Sequence, residues 1–285
     1  MFTEIITSKV RKELKKMNFY YSGEILPLKV VDDIWTLNIY KQDKAFVIRY
    51  YDFDNSEYYI NKYLILEKYG IKIPKIISYS NKLIIFEDYN DINKYERLNS
   101  EIITREIIEK ISEWYKNLHS NFQESIINYK DYFNVSNLNK VMKKYNLQYN
   151  KNLEYICDNF YNIKLKLSKL KNSFVLNDFS LDNLFISKES GEIVCDKCDR
   201  FGNGFCYMDI CKIREGLNKE NYDIFASKYG SVSEDECVIG EVASKIIDLY
   251  LSINDETIST RIRKILDEIV SDKFENKIRS IVEWY

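Results

Sequence analysis

LNDFSLDNLF, residues 176–185, followed by IVCDKCDRFGNGF, residues 193–205, decides how this chain is read. Asp178 is followed five residues later by Asn183 and, after an apolar run, by Asp196. One carboxylate placed beside an acceptor hydroxyl, with an amide oxygen and a second carboxylate as hard ligands for magnesium, is a set suited to phosphoryl transfer. The flanking stretches 174–176, 184–186 and 193–195 are short and apolar and read as three strands, which puts the three polar groups at strand ends facing one cleft. By itself Asp-x-x-x-x-Asn also arises in any Asp-rich turn. The strand context and the eighteen-residue spacing from Asp178 to Asp196 give it weight.

The segment resembles the aminoglycoside phosphotransferase and choline kinase-like family, whose pattern is His-x-Asp-x-x-x-x-Asn and, further on, Ile-Asp. Here the chain reads Leu-Asn-Asp-Phe-Ser-Leu-Asp-Asn, with Leu176 in the place of the His. In kinase-like folds that His packs beneath the loop, a slot that an apolar Leu also fills. The resemblance implies an α+β, bilobal protein kinase-like fold with a small β-rich amino-terminal lobe over 1–89 and a larger, mainly helical lobe over 90–285. It implies transfer of the terminal phosphoryl group of ATP or GTP, with Mg2+, to a hydroxyl of a small acceptor. Asp178 would then orient and deprotonate the acceptor, while Asn183 and Asp196 hold the metal. Residues 45–51, AFVIRYY, resemble the family strand whose basic residue contacts the phosphates, which assigns Arg49 that role. Glu57, opening the helical stretch EYYINKYLILEKYG, is the implied partner that holds Arg49, and Gly70 ends the helix. The stretch KLIIFEDYND resembles the strand entering the lobe hinge, where backbone groups from Glu87 to Tyr89 meet the nucleotide base.

Some family elements are missing. The first hairpin, about 25–40, contains no glycine, and Gly23 is the only one in the first sixty residues. A turn at Asp32-Asp33 is therefore the expected loop over the nucleotide. No Ala-Pro-Glu occurs, and the only prolines are Pro27 and Pro74, which argues against an ordinary protein kinase. Leu176 and the absent glycine loop keep open an alternative, a catalytically silent nucleotide-binding protein of the same fold.

The chain has 285 residues, 45% of them apolar, enough for a sizeable core. With 42 basic and 44 acidic residues the net charge is −2, which supplies no bulk attraction for nucleic acid or an anionic membrane. No apolar stretch is long enough for a membrane span and the amino terminus lacks a signal-peptide core, so a cytoplasmic location is expected. The 24 tyrosines accompany abundant Lys, Asn and Ile and carry little functional weight. Cys195, Cys198, Cys206 and Cys211 offer a competing chemistry, four thiolates for a structural zinc. Against it, Cys195 falls in an apolar strand and Cys211 in a helix, where both act as small hydrophobes.

After the hinge the pattern becomes helical. Ile103, Ile107, Ile111, Trp114 and Leu118 recur at helical spacing over 100–119, two more helices are expected over 136–170, and four or five from 205 onward. His119, the only histidine, stands at a helix end and reads as structural. Asp209, in YMDIC, resembles a family element that braces the loop, and Asp199 is second to Asp196 as a metal ligand. Asp178, Asp182, Asp196 and Asp199 crowd one region, which favours a cationic acceptor, aminoglycoside- or choline-like.

Overall fold

The computed structural model describes residues 2–31, 34–42, 44–53, 56–124, 126–230, 232–255 and 258–283. The turn expected at Asp32-Asp33 lies outside the described residues. By its internal contacts the chain divides into two compact units, one of Met1–Thr104 with Ser180–Asp199, the other of Arg105–Phe179 with Arg200–Tyr285.

In the first unit, α1 (Phe2–Lys16), which the sequence reading did not anticipate, presents Ile6, Val10 and Leu14 at four-residue spacing along one face. That face packs on a sheet of β1 (Ser22–Val31), β2 (Ile34–Lys41), β3 (Lys44–Tyr51), β4 (Ile76–Tyr79) and β5 (Leu83–Glu87). Its antiparallel order is β1-β2-β3-β5-β4. Alternation in β2 buries Trp35, Leu37 and Ile39 on the α1 side, where Ile48 and Tyr50 of β3 and Ile85 of β5 join them. Helix α2 (Ser56–Lys68) follows β3 and packs its Tyr63 ring edge-on against Phe86 of β5. It ends at Gly70, whose φ of +70° suits glycine, with the Ile71 N–H closing back on the Leu66 carbonyl.

The three strands expected around the decisive stretch form, but not as neighbours in one sheet. β6 (Tyr95–Arg97) pairs with β8 (Leu184–Ser187), which pairs with β9 (Ile193–Cys195). The strand before Asp178, β7 (Asn172–Val175), pairs instead with β10 (Gly202–Phe205). This pairing of β8 and β9 with β6 is why residues 180–199 are contacts of the first unit and why that unit runs to Thr104 rather than stopping at 89.

The second unit is helical apart from β7 and β10. Its helices are α3 (Arg105–His119), α4 (Val135–Lys144), α5 (Lys151–Asp158), α6 (Phe160–Lys169), α7 (Tyr207–Gly216), α8 (Lys219–Tyr229), α9 (Glu234–Leu251), α10 (Thr260–Ile269) and α11 (Asp272–Glu283). The region 136–170 holds three helices where two were expected, because Asn150 and Asn159 interrupt it, Asn150 capping α5 through the Leu153 N–H. α9 lies in the core, with Ile239, Val242, Ala243, Ile246, Ile247 and Leu249 buried among residues of the surrounding helices. No described helix is long and apolar enough to cross a membrane.

Candidate active site

Arg49 sits mid-strand in β3, opposite Thr36 of β2 and Ile84 of β5. Because strand side chains alternate, Ile48 and Tyr50 go to the α1 core and Arg49 to the other face. There it is 5% exposed. Its guanidinium donates to the Tyr63 hydroxyl and, at 3.1 Å, to Asp199 Oδ2, and lies 3.7 Å from Asp196 Oδ2. The Tyr63 hydroxyl accepts the Cys198 N–H at 3.2 Å and shares its own proton between the Asp196 carbonyl and Asp199 Oδ1. Burial alone would lower the Arg49 pKa, but the pull of Tyr63 and Asp199 outweighs it and holds the group well above its ordinary value.

Asp196 follows β9 directly and its backbone N–H donates to the Asn183 carbonyl at 3.1 Å, tying the strand end to the single helical turn Leu181–Asn183. The residue is 8% exposed, and its Oδ1 has no hydrogen-bond partner among the described residues. Burial pushes this carboxyl upward, with Arg49 only partly opposing. An orphaned buried carboxylate oxygen beside an amide-bearing turn is a set of hard donors that matches what Mg2+ takes.

Two residues are placed differently from the expectation. Glu57 is exposed in the first turn of α2, and the residue of that helix that reaches Arg49 is Tyr63, nearly two turns on. Asp199, ranked behind Asp196 as a ligand, is the carboxylate that pairs with Arg49 most closely. Glu87 ends β5, its Oε1 accepting the Tyr95 hydroxyl at 2.6 Å and the Lys75 N–H at 3.2 Å. Tyr89 is buried edge-on to Phe86 and Phe185, and burial pushes its hydroxyl up to about 12, with Arg49 opposing.

In the second unit the loop carrying Asp178 is held from below. Asn177 takes a left-handed φ of +55°, a conformation asparagine tolerates better than most residues. The N–H groups of Leu176 and Asn177 donate to the two oxygens of the buried Asp209 carboxylate at 2.9 and 2.7 Å. His119 Nε2 lies 3.1 Å from Asp209 Oδ2 and its Nδ1 2.9 Å from the Tyr229 hydroxyl. Asp209 thus braces the loop, His119 supports Asp209, and Leu176, 1% exposed, fills its slot as an apolar plug.

Asp178 Oδ1 lies 3.4 Å from Arg261 Nη1, and Arg261 Nη2 donates to Asp248 Oδ2 at 2.7 Å. Lys212 spans Asp248, at 3.1 Å, and the Asn177 carbonyl, at 3.0 Å. Burial would raise the Asp248 carboxyl, but Lys212, Arg261 and Arg200 hold it below the usual range. Of the four aspartates expected to make an excess negative potential, Asp199 has Arg49 at 3.1 Å and Asp178 has Arg261 at 3.4 Å, while Asp196 shares Arg49 at 3.7 Å. Asp178 and Phe179 line a cavity of about 350 Å³ within this unit, together with residues of α7, α9 and α10. Gly216 borders it, and a Cβ there would stand 2.7 Å from the Phe179 ring, so glycine admits the residue that follows Asp178.

The zinc reading does not hold. Cys195 and Cys198 direct their thiols at backbone carbonyls of Lys197 and Cys195, Cys211 at that of Cys237, and no three cysteines come together among the described residues. Arg261, Lys212 and Asp248 were not foreseen, since no local pattern distinguishes them from surface charges. For Asp248 the available signal was its place among charged residues inside the otherwise apolar 237–249 run.

The fold is that of small-molecule kinases of known structure. A choline kinase from Streptococcus pneumoniae superposes with a TM-score of 0.67 at 12% identity, covering 96% of this chain and 99% of that one. The macrolide 2'-phosphotransferase of Brachybacterium faecium gives 0.62 at 8% identity over 91% and 97%. Spectinomycin phosphotransferase, in complex with ADP and spectinomycin, gives 0.55 at 14% identity over 96% and 97%. No protein-family model matches the sequence, and no curated protein does.

Proposed function

We propose that the chain is a magnesium-dependent kinase that transfers the terminal phosphoryl group of ATP or GTP to a hydroxyl of a small molecule. The observation that carries this is the backbone pairing of Asn183 with Asp196, whose buried Oδ1 lacks a partner among the described residues, five residues along the chain from an Asp178 loop braced by Asp209. In this reading the acceptor oxygen attacks the terminal phosphorus, the bond to the nucleoside diphosphate breaks, and the hydroxyl proton passes to Asp178. Asn183 and Asp196 would hold magnesium, which when bound neutralises charge developing on the phosphates. Arg49, released from Asp199, holds the phosphates, and Tyr63 takes the orienting role first given to Glu57. The backbone from Glu87 to Tyr89 receives the base. The first unit thus serves the nucleotide and the cavity of the second serves the acceptor.

The fold neighbours support nucleotide use: spectinomycin phosphotransferase is seen with ADP and spectinomycin, and the choline kinase with AMP. A cytoplasmic setting, where nucleoside triphosphates are abundant, belongs to the same proposal. Magnesium with ATP or GTP is expected to raise the thermal midpoint, since a ligand at a hundred times its Kd stabilises by about 2.7 kcal/mol. Absence of any shift at millimolar concentrations of both nucleotides overturns the proposal.

A further inference from the structure

Helix α9 is buried on nearly every side, yet it carries Glu241, Ser244, Lys245 and Asp248 at positions i, i+3, i+4 and i+7. That spacing draws a polar stripe down one face of an otherwise apolar helix. All four residues line the cavity that Asp178 borders. The Ser244 hydroxyl, in a residue 3% exposed, has no hydrogen-bond partner among the described residues. A buried hydroxyl in that condition points to a ligand that supplies the missing bond.

The acids around it are already satisfied. Lys245 Nζ lies 3.1 Å from Glu215, 2.9 Å from Glu241 and 2.6 Å from Glu268. Oxygens of these three carboxylates all fall within 4.8 Å of one another, a cage that an acceptor's ammonium group would otherwise fill. Glu241 also receives Lys277 and, at 3.0 Å, Arg214. Asp248 has Lys212 and Arg261. Phe179 is the only aromatic residue of the lining among the described residues, whereas a quaternary ammonium is held by several aromatic faces.

We propose that the acceptor is an uncharged polyhydroxylated molecule of about sugar size, and that Lys245 determines this by occupying the carboxylate cage with its own ammonium group. One hydroxyl meets Asp178 and another meets Ser244. The cavity, about 350 Å³, falls at the small end of the ~300–1,000 Å³ typical of ligand pockets. This replaces the expectation of a cationic acceptor, and it rests on the kinase reading of the cavity.

The test is titration calorimetry without nucleotide, using a panel of pentoses, hexoses and cyclitols against choline, ethanolamine and 2-deoxystreptamine. In the wild-type protein at least one neutral polyol should bind tenfold or more tightly than every amine. In Lys245→Met the amines should gain tenfold or more. Because that variant leaves three carboxylates facing one another, Lys245→Met/Glu268→Gln, which removes one charge of each sign, serves as the second variant with the same expected gain. Tighter amine than polyol binding in the wild type, no polyol binding at all, or an unmoved ratio in the folded variant overturns the proposal. A failed nucleotide shift, with these ratios intact, would instead remove the kinase reading and leave the ligand class of the cavity standing.

Discussion

Arg49 in the first unit and Lys245 in the second are both buried cations among carboxylates, and they differ in what is left unsatisfied around them. Lys245 meets three carboxylates, and Glu241 beneath it meets two further cations. Around Arg49, both its own Nε and the Oδ1 of Asp196 lack partners among the described residues. An unsatisfied buried polar group costs about 1–3 kcal/mol, so it persists where a ligand completes it. The carboxylates around Lys245 are saturated and the Ser244 hydroxyl beside them is the group that the proposal gives to an acceptor; the incomplete network around Arg49 is the one that the proposed magnesium nucleotide would complete.

The strongest way to break this comparison is at Asp178. Asp178→Asn should reduce turnover by about 10²–10⁴-fold, the usual contribution of a general base, and leave nucleotide affinity nearly unchanged. Steady-state kinetics and calorimetry with a non-hydrolysable nucleotide read the two quantities separately, and unchanged turnover would end the assignment.

Acid should distinguish the two clusters next. Burial would raise the Glu241 carboxyl, but Lys245 and Lys277 hold it at about 2, below its ordinary 4.5. Since the unfolded chain takes up this proton more readily, the stabilisation is complete above pH 4.5 and is lost as pH falls toward 2, an effect on the order of 3 kcal/mol. Thermal midpoints measured across that window should decline in the wild type and decline less in Glu241→Gln.

At the incomplete cluster the sign reverses. Asp196→Asn removes a buried, partly unsatisfied charge, so the ligand-free protein should melt at a higher temperature. Magnesium-dependent nucleotide affinity should fall about tenfold or more, because a neutral amide is a poorer ligand for a hard dication. A variant less stable and equally able to bind nucleotide would contradict both roles. The smallest effect is expected for Glu57→Ala, an exposed side chain, which should alter stability by less than about 0.5 kcal/mol. Tyr63→Phe, by contrast, removes the hydroxyl that Arg49 and Cys198 share and should weaken nucleotide binding in the same assay.

What the sequence by itself determined were the features written in nearest neighbours along the chain. The strands at 172–175, 184–187 and 193–195, the helix ending before Gly70 and the placing of Asp178, Asn183 and Asp196 at strand ends all follow from short-range periodicity and turn residues. Leu176 as an apolar plug and Asp209 as a brace were legible through the family resemblance, each standing at a recognisable offset in its motif. The tertiary structure alone decided which strand pairs with which, so that β7 joins β10 while β8 and β9 join β6. It also decided the partners of the charges. Arg49 finds Asp199 across 150 residues and Asp178 finds Arg261 across 83, separations over which no local pattern constrains which ends meet. Periodicity specifies which face of an element is apolar; the identity of the group opposite a buried charge is set by packing, and packing is a property of the whole chain.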